Sequence, residues 1–174
     1  EMKPALCAVR IRSVCCNFRG RPYGGVPFEN DKLYLLNAVS GFAPFGAAGP
    51  RPVSWENLGF PTSTNPLLGL DGLGIIGSER QYPEASLYCY PNPYSQDVPG
   101  KPVTRLVLEG NVGEVHCYYP INIPEMESGD VYELDITLTR IGTSAPDLPA
   151  GPDVVHVEHS AAEWYETEGR TEYY

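Results

Sequence analysis

What this chain lacks narrows its function before any motif is read. It has no run of about 18 apolar residues, the length an α-helical membrane span requires, so it is not expected to span a bilayer. It has only three lysines, its arginines are scattered, and its net charge is −10. A groove that neutralises phosphates needs clustered cations, so no nucleic acid is expected as a partner. The acidic surface favours solubility and repels anionic membranes. Lys- and Glu-rich helical stretches are missing, which leaves Tyr, Thr and Val as the main structure formers. There is no G-x-S-x-G and no S-x-x-K, and no Ser or Cys is tied to a base by a recognisable pattern. The chain is therefore not expected to be an enzyme. The opening EMKPALCAVR has no long apolar segment, so no signal peptide is read there, and the chain is taken as a mature or trimmed piece.

Glycine and proline are abundant instead, 18 of each in 174 residues. That suits one loop-rich all-β domain with room for a real core. Cysteine occurs five times, an odd number, with Cys15 and Cys16 adjacent and Cys7, Cys89 and Cys117 inside predicted strands. Small buried hydrophobes are the preferred reading over a structural disulfide.

The clearest strand is VYELDITLTRIG (131–142), where Tyr132, Leu134, Ile136 and Leu138 share one face and Glu133, Asp135, Thr137 and Thr139 the other. That period of two marks a half-buried antiparallel strand. ALCAVRIRSVCCNF (5–18) is also β-like, but its phase switches, which predicts a bulge near Ser13. DKLYLLNA (31–38) is a continuous apolar run, as in a central strand covered on both faces. Residues 86–90 read as a strand, and TRLVLEG with GEVHCYYPINI reads as a hairpin turning across Gly110–Gly113. Residues 39–85 resist a regular reading, apart from a helical turn at 54–58, and are expected as a long irregular insertion at one end of a sandwich. Three prolines in GTSAPDLPAGPD (142–153) exclude a strand interior there. A valine-rich run (154–157) and EWYETEGRTEYY follow, the latter as a hairpin about Glu168–Gly169 pairing Trp164 with Tyr173. Extended segments beyond a proline linker are the ones most readily lent to a neighbour by strand addition.

Other motifs yield to bland readings. Gly72-Leu73-Gly74-Ile75-Ile76-Gly77 matches the dinucleotide fingerprint, yet no strand–helix context surrounds it, so no cofactor is expected. His156 and Glu158 share a strand face while His159 points away, and Glu125, Glu127 and Asp130 lack the spacing of a calcium loop, so no metal is expected either. Trp55, Trp164 and twelve tyrosines permit a carbohydrate-stacking surface, with core and interface roles preferred.

In order along the chain, ALCAVRIRSVCCNFRGRPYGG, ENDKLYLLN, LYCYPN, TRLVLEG, YYPINI and YELDITLTRIGTSAPDLP resemble the C-terminal domain of the fimbrillins. These are the type V pilins and fimbrillin-like lipoproteins of the Bacteroidales. The resemblance implies a transthyretin-like Greek-key β-sandwich of about seven strands spanning 1–153, with 39–85 as the insertion and 154–174 as a C-terminal extension. It implies a lipoprotein exported to the outer membrane and cell surface, with other pilin subunits as partners and a host or bacterial surface ligand for adhesion. Subunits of that family join by strand exchange through the extension, which here would be Val154, Val155, Val157, Trp164, Tyr165, Tyr173 and Tyr174. Family members commonly carry an N-terminal domain and a lipidated cysteine region, and neither is read in this sequence. The expected function is thus a structural fimbrial subunit. Its rivals are a non-polymerising adhesin or carbohydrate-binding module, and an accessory domain of a secreted hydrolase.

Overall fold

A computed structural model describes residues 5–46 and 49–163, and its ten strands come with no helix among those residues. In chain order the strands are β1 (Cys7–Cys16), β2 (Phe28–Leu36), β3 (Ala38–Gly46), β4 (Gly49–Glu56), β5 (Gly69–Ile76), β6 (Ala85–Cys89), β7 (Arg105–Val112), β8 (Val115–Asn122), β9 (Asp130–Leu138) and β10 (Val155–Glu163). Eight of them form two four-stranded sheets, β10-β9-β1-β6 and β5-β2-β7-β8, while β3 and β4 make a separate ribbon. The second sheet is wholly antiparallel; the first is mixed, because β1 runs parallel to β9. These two sheets form the β-sandwich that the resemblance implies, with seven of their eight strands within 1–153 and the eighth, β10, in the C-terminal extension.

The two-residue period of β9 gives its architecture directly. Tyr132, Leu134, Ile136 and Leu138 are all buried in the common core. The expected bulge in β1 is present as a register shift between Ile11 and Ser13. It lets Val9 and Ile11 before it, and Val14 and Cys16 after it, all enter the same core. β2 is central in its sheet, as its apolar run predicts. Leu33 and Leu35 face the main core, whereas Tyr34 and Leu36 join Val107 in a small cluster of their own. Between the sheets, Phe28 and Tyr119 meet edge to face at 5.0 Å, and the Tyr119 hydroxyl donates to the Arg140 carbonyl at 2.7 Å.

Three expectations need correction. The β7–β8 hairpin exists, but Val112 pairs with Val115, so the turn is Gly113–Glu114, with Gly113 at φ +60°. Gly110 lies inside β7 because its missing side chain is needed there. The stretch 39–85 is not irregular, since β5 and nearly all of the β3–β4 ribbon fall within it. The ribbon accommodates its prolines because it has only two strands and its register slips three times along its length. No helical turn occurs at 54–58; β4 continues to Glu56 and Asn57 then turns the chain at φ +53°.

Candidate functional site

A sandwich has two open sides, and their chemistry differs. On one side β6 lies over β5; on the other β10 lies over β8. The outer edge of β6 is closed, because Tyr88 N–H donates to Leu67 and Tyr90 N–H to Val39. The β8 edge is partly closed by Thr143, which exchanges both backbone bonds with Tyr118. β10, like β5 at the other open side, is different: among the described residues no strand pairs with its outer edge. An unpaired ladder of N–H and C=O groups is a template for another strand.

The tail residues singled out in the sequence divide sharply. Val155 is buried in the core, and Val154 and Val157 pack partly buried against it. β10 itself is zipped along β9 from Val155 opposite Leu138 to Glu163 opposite Asp130. Trp164, Tyr165, Tyr173 and Tyr174, with the expected hairpin, lie outside the described residues. A groove of about 290 Å³ runs between β8 and β10, lined by Ile121, Val155, Val157 and the prolines of the preceding loop. His156 and Glu158 share the outer face at 3.6 Å, as the period predicts. Among the described residues no three His, Cys, Asp or Glu side chains gather as a metal site.

The outer face of the mixed sheet is a charge ladder. Arg10 pairs with Glu133 at 3.1 Å, and Asp135 accepts from both Arg12 and Ser13. The Arg12 hydrogen bond holds the Asp135 carboxyl below its usual range. A carboxyl depressed on folding adds stability above its unfolded value, about 3.9, and loses it as pH falls through the folded value. The melting-temperature advantage of the parent over an Asp135→Asn variant is therefore expected to shrink below about pH 4. Thermal melts at neutral and acid pH measure this directly.

The five cysteines are free and buried. Burial pushes the Cys7 thiol up to about 12 and the Cys16 thiol up to about 11, so neither supplies a thiolate at neutral pH. The glycine motif is an edge strand. A Cβ on Gly72 would sit 1.9 Å from the Asn30 carbonyl oxygen, and Gly74 adopts φ +76°. Both glycines answer to packing and turn geometry rather than to a phosphate.

A second surface lies at the β4 end. Trp55, Glu56, Asn57, Leu58, Thr62 and Ser63 line a cavity of about 340 Å³. Sequence reasoning singled out Trp55 but missed its companions. Val53, Leu58 and Phe60 are more than half exposed, and no periodic pattern announces that.

No helix among the described residues is long and apolar enough to cross a membrane. No protein-family profile matches the sequence, and no curated protein does. Solved structures do match. One is a protein of Bacteroides eggerthii named for a proposed role in cell adhesion, at TM-score 0.62 and 20% identity, covering 92% of this chain and 56% of that one. A fimbrilin from Porphyromonas gingivalis matches at TM-score 0.61 and 15% identity, over 93% of this chain and 58% of its own. A protein of Parabacteroides distasonis, also named for a proposed role in cell adhesion, matches at TM-score 0.59 and 12% identity, over 94% and 60%. This chain thus spans somewhat more than half the length of the structures it resembles, and it shares their fold.

Proposed function

We propose that this chain is a structural, non-catalytic subunit of a bacterial cell-surface fimbria that joins its neighbours by β-strand addition and also contributes to adhesion. The coarse part, a pilus- or adhesion-related role at the cell surface, is supported by the neighbours, one a fimbrilin and two named for proposed cell adhesion. The observation that carries the finer part is β10. It is the last of the described strands and an edge strand, hung on a proline-rich loop, with its outer edge unpaired among the described residues. In the exchange, β10 of one subunit takes on the next the place beside β9 that it holds here. Every ladder bond and every apolar contact of Val155 and Val157 is recovered, so the exchange costs little at equilibrium. A head-to-tail exchange of this kind gives a filament when the rotation between subunits does not close a ring. Export as a lipoprotein to the outer membrane belongs to the same reading.

A reversible lock tests it. Ser160 and Glu133 are directly opposite on β10 and β9. A Ser160→Cys, Glu133→Cys pair, once oxidised, is expected to stop polymer growth seen by size exclusion and electron microscopy, and reductant is expected to restore it. Polymers that form equally well when locked would show that β10 stays in its own sheet, and the exchange would be wrong.

A non-polymerising adhesin is the second reading. It is favoured by the exposed apolar side chains around the β4 cavity.

A further inference from the structure

We infer that the cavity at the end of β4 is a binding site for a neutral saccharide, contacted by Trp55, Glu56 and Phe60. The inference rests on the adhesive half of the function proposed above and needs no polymer.

The lining defines the ligand by elimination and by fit. No Lys or Arg lines the cavity, while Glu56 does, so an anion is disfavoured. Glu56 is the one carboxylate there, too few for a bound metal ion. What remains is a mixed surface. Trp55 forms part of the wall, Leu58 is exposed beside it, and Phe60, on the loop between the lining residues Leu58 and Thr62, is 61% exposed. A pyranose offers the matching surface, an apolar C–H face for stacking and vicinal hydroxyls that donate and accept. Glu56 Oε2 accepts from Ser63 at 2.5 Å, and no cation pairs with this carboxylate among the described residues, so it has capacity for sugar hydroxyls. The Trp55 indole N–H is buried and has no acceptor, the one such side-chain donor among the described residues. Native structures rarely leave a donor in that condition.

The site is also built in advance. Asn57 donates to the Leu35 carbonyl at 2.9 Å and accepts from the backbone N–H groups of Thr62 and Ser63 at 2.9 and 2.7 Å. Its own carbonyl accepts from Asn37 N–H at 3.0 Å. The loop carrying Phe60 is thus tied to the central strand β2 before any ligand arrives, which lowers the ordering cost of binding. The cavity volume, about 340 Å³, lies at the small end of ligand pockets, enough for a terminal sugar rather than a long chain.

The test is saturation-transfer NMR on the monomer, using the methyl glycosides of mannose, galactose, glucose, fucose and N-acetylglucosamine as probes, with tryptophan fluorescence as a second readout. Transfer to the C–H face of at least one probe is expected. Phe60→Ala and Glu56→Gln are each expected to weaken it about tenfold, without changing the sandwich by circular dichroism. Silence from the whole panel overturns the inference, as does binding that Phe60→Ala and Glu56→Gln both leave unchanged. Polymers forming normally beside a silent panel would sink the saccharide site alone. Saccharide binding by a chain that never polymerises would sink the subunit reading alone.

Discussion

Gly110→Val is expected to leave the chain unfolded. A Cβ at Gly110 would lie 1.9 Å from the Glu29 carbonyl oxygen and 2.9 Å from its carbon. Those atoms are backbone of β2, the strand that β5 and β7 both pair with, so no side chain can swing aside. Relief requires β2 and β7 to part, and that opens the core between Phe28, Leu108 and Tyr119. The crowding has a local cause. Where Asn30 and Lys32 face their partners, the ladder slips by one residue on both sides of β2. The bulge thrusts the Asn30 region towards its neighbours, and Gly110 on one flank and Gly72 on the other are the residues that accept it. The Asn30 side chain fixes the distortion, donating to the Lys32 and Glu109 carbonyls at 2.9 Å each and accepting from Leu73 N–H at 2.8 Å. A loss above about 4–5 kcal/mol is exceptional for one substitution but suits forced backbone separation, and whole domains are stable by only about 5–15 kcal/mol. Urea titration by circular dichroism measures the outcome. Gly74→Ala is the control: nothing lies within 4 Å of its Cβ, so only its φ of +76° is penalised, at about 1–2 kcal/mol. If Gly110→Val and Gly74→Ala had the same midpoint, the bulge would not be gripped as described.

The same bulge shows how far the sequence could be read. β9 was legible because one of its faces meets the core and the other carries Glu133 and Asp135 against arginines of β1, so hydrophobicity alternates cleanly. The β1 bulge was legible because a phase switch survives in the apolar pattern. β5 was not: Gly72 is required by a backbone approach and Gly74 by a positive φ, so its letters spell a loop although its hydrogen bonds make a strand. β3 and β4 were hidden by prolines that a two-stranded ribbon tolerates. Pairing direction was not legible either. β9 lies parallel to β1 on one side and antiparallel to β10 on the other, and alternation along one strand is the same in both cases. At the candidate site, Trp55 was visible as a large aromatic near a loop. Glu56 and Phe60 gain their meaning only from the way Asn57 folds the loop back.

Asn57→Ala is also expected to be strongly destabilising, and its effect joins the fold to the site. Asn57 is buried, adopts φ +53°, and uses both ends of its amide. Alanine would strand the Leu35 carbonyl and the Thr62 and Ser63 N–H groups, each worth about 1 kcal/mol net when paired and more when left buried and unpaired. It would also pay about 1–2 kcal/mol for the left-handed backbone, which Asn tolerates better than Ala. The sum, about 4–5 kcal/mol, should appear as a lower urea midpoint with an unchanged slope. Asn57→Gly separates the two contributions, because it forgives the backbone and keeps only the lost bonds, and it should recover about 1 kcal/mol. The glycine variant is then the more telling one. Its sandwich remains folded, since the main core takes nothing from Asn57, yet the loop bearing Phe60 loses its side-chain ties to Leu35, Thr62 and Ser63 and keeps only the bonds to Asn37. Saccharide binding should therefore fall in Asn57→Gly by more than its stability does. A proportional loss of both would mean that the loop is held by its apolar contacts and that Asn57 only stabilises the chain.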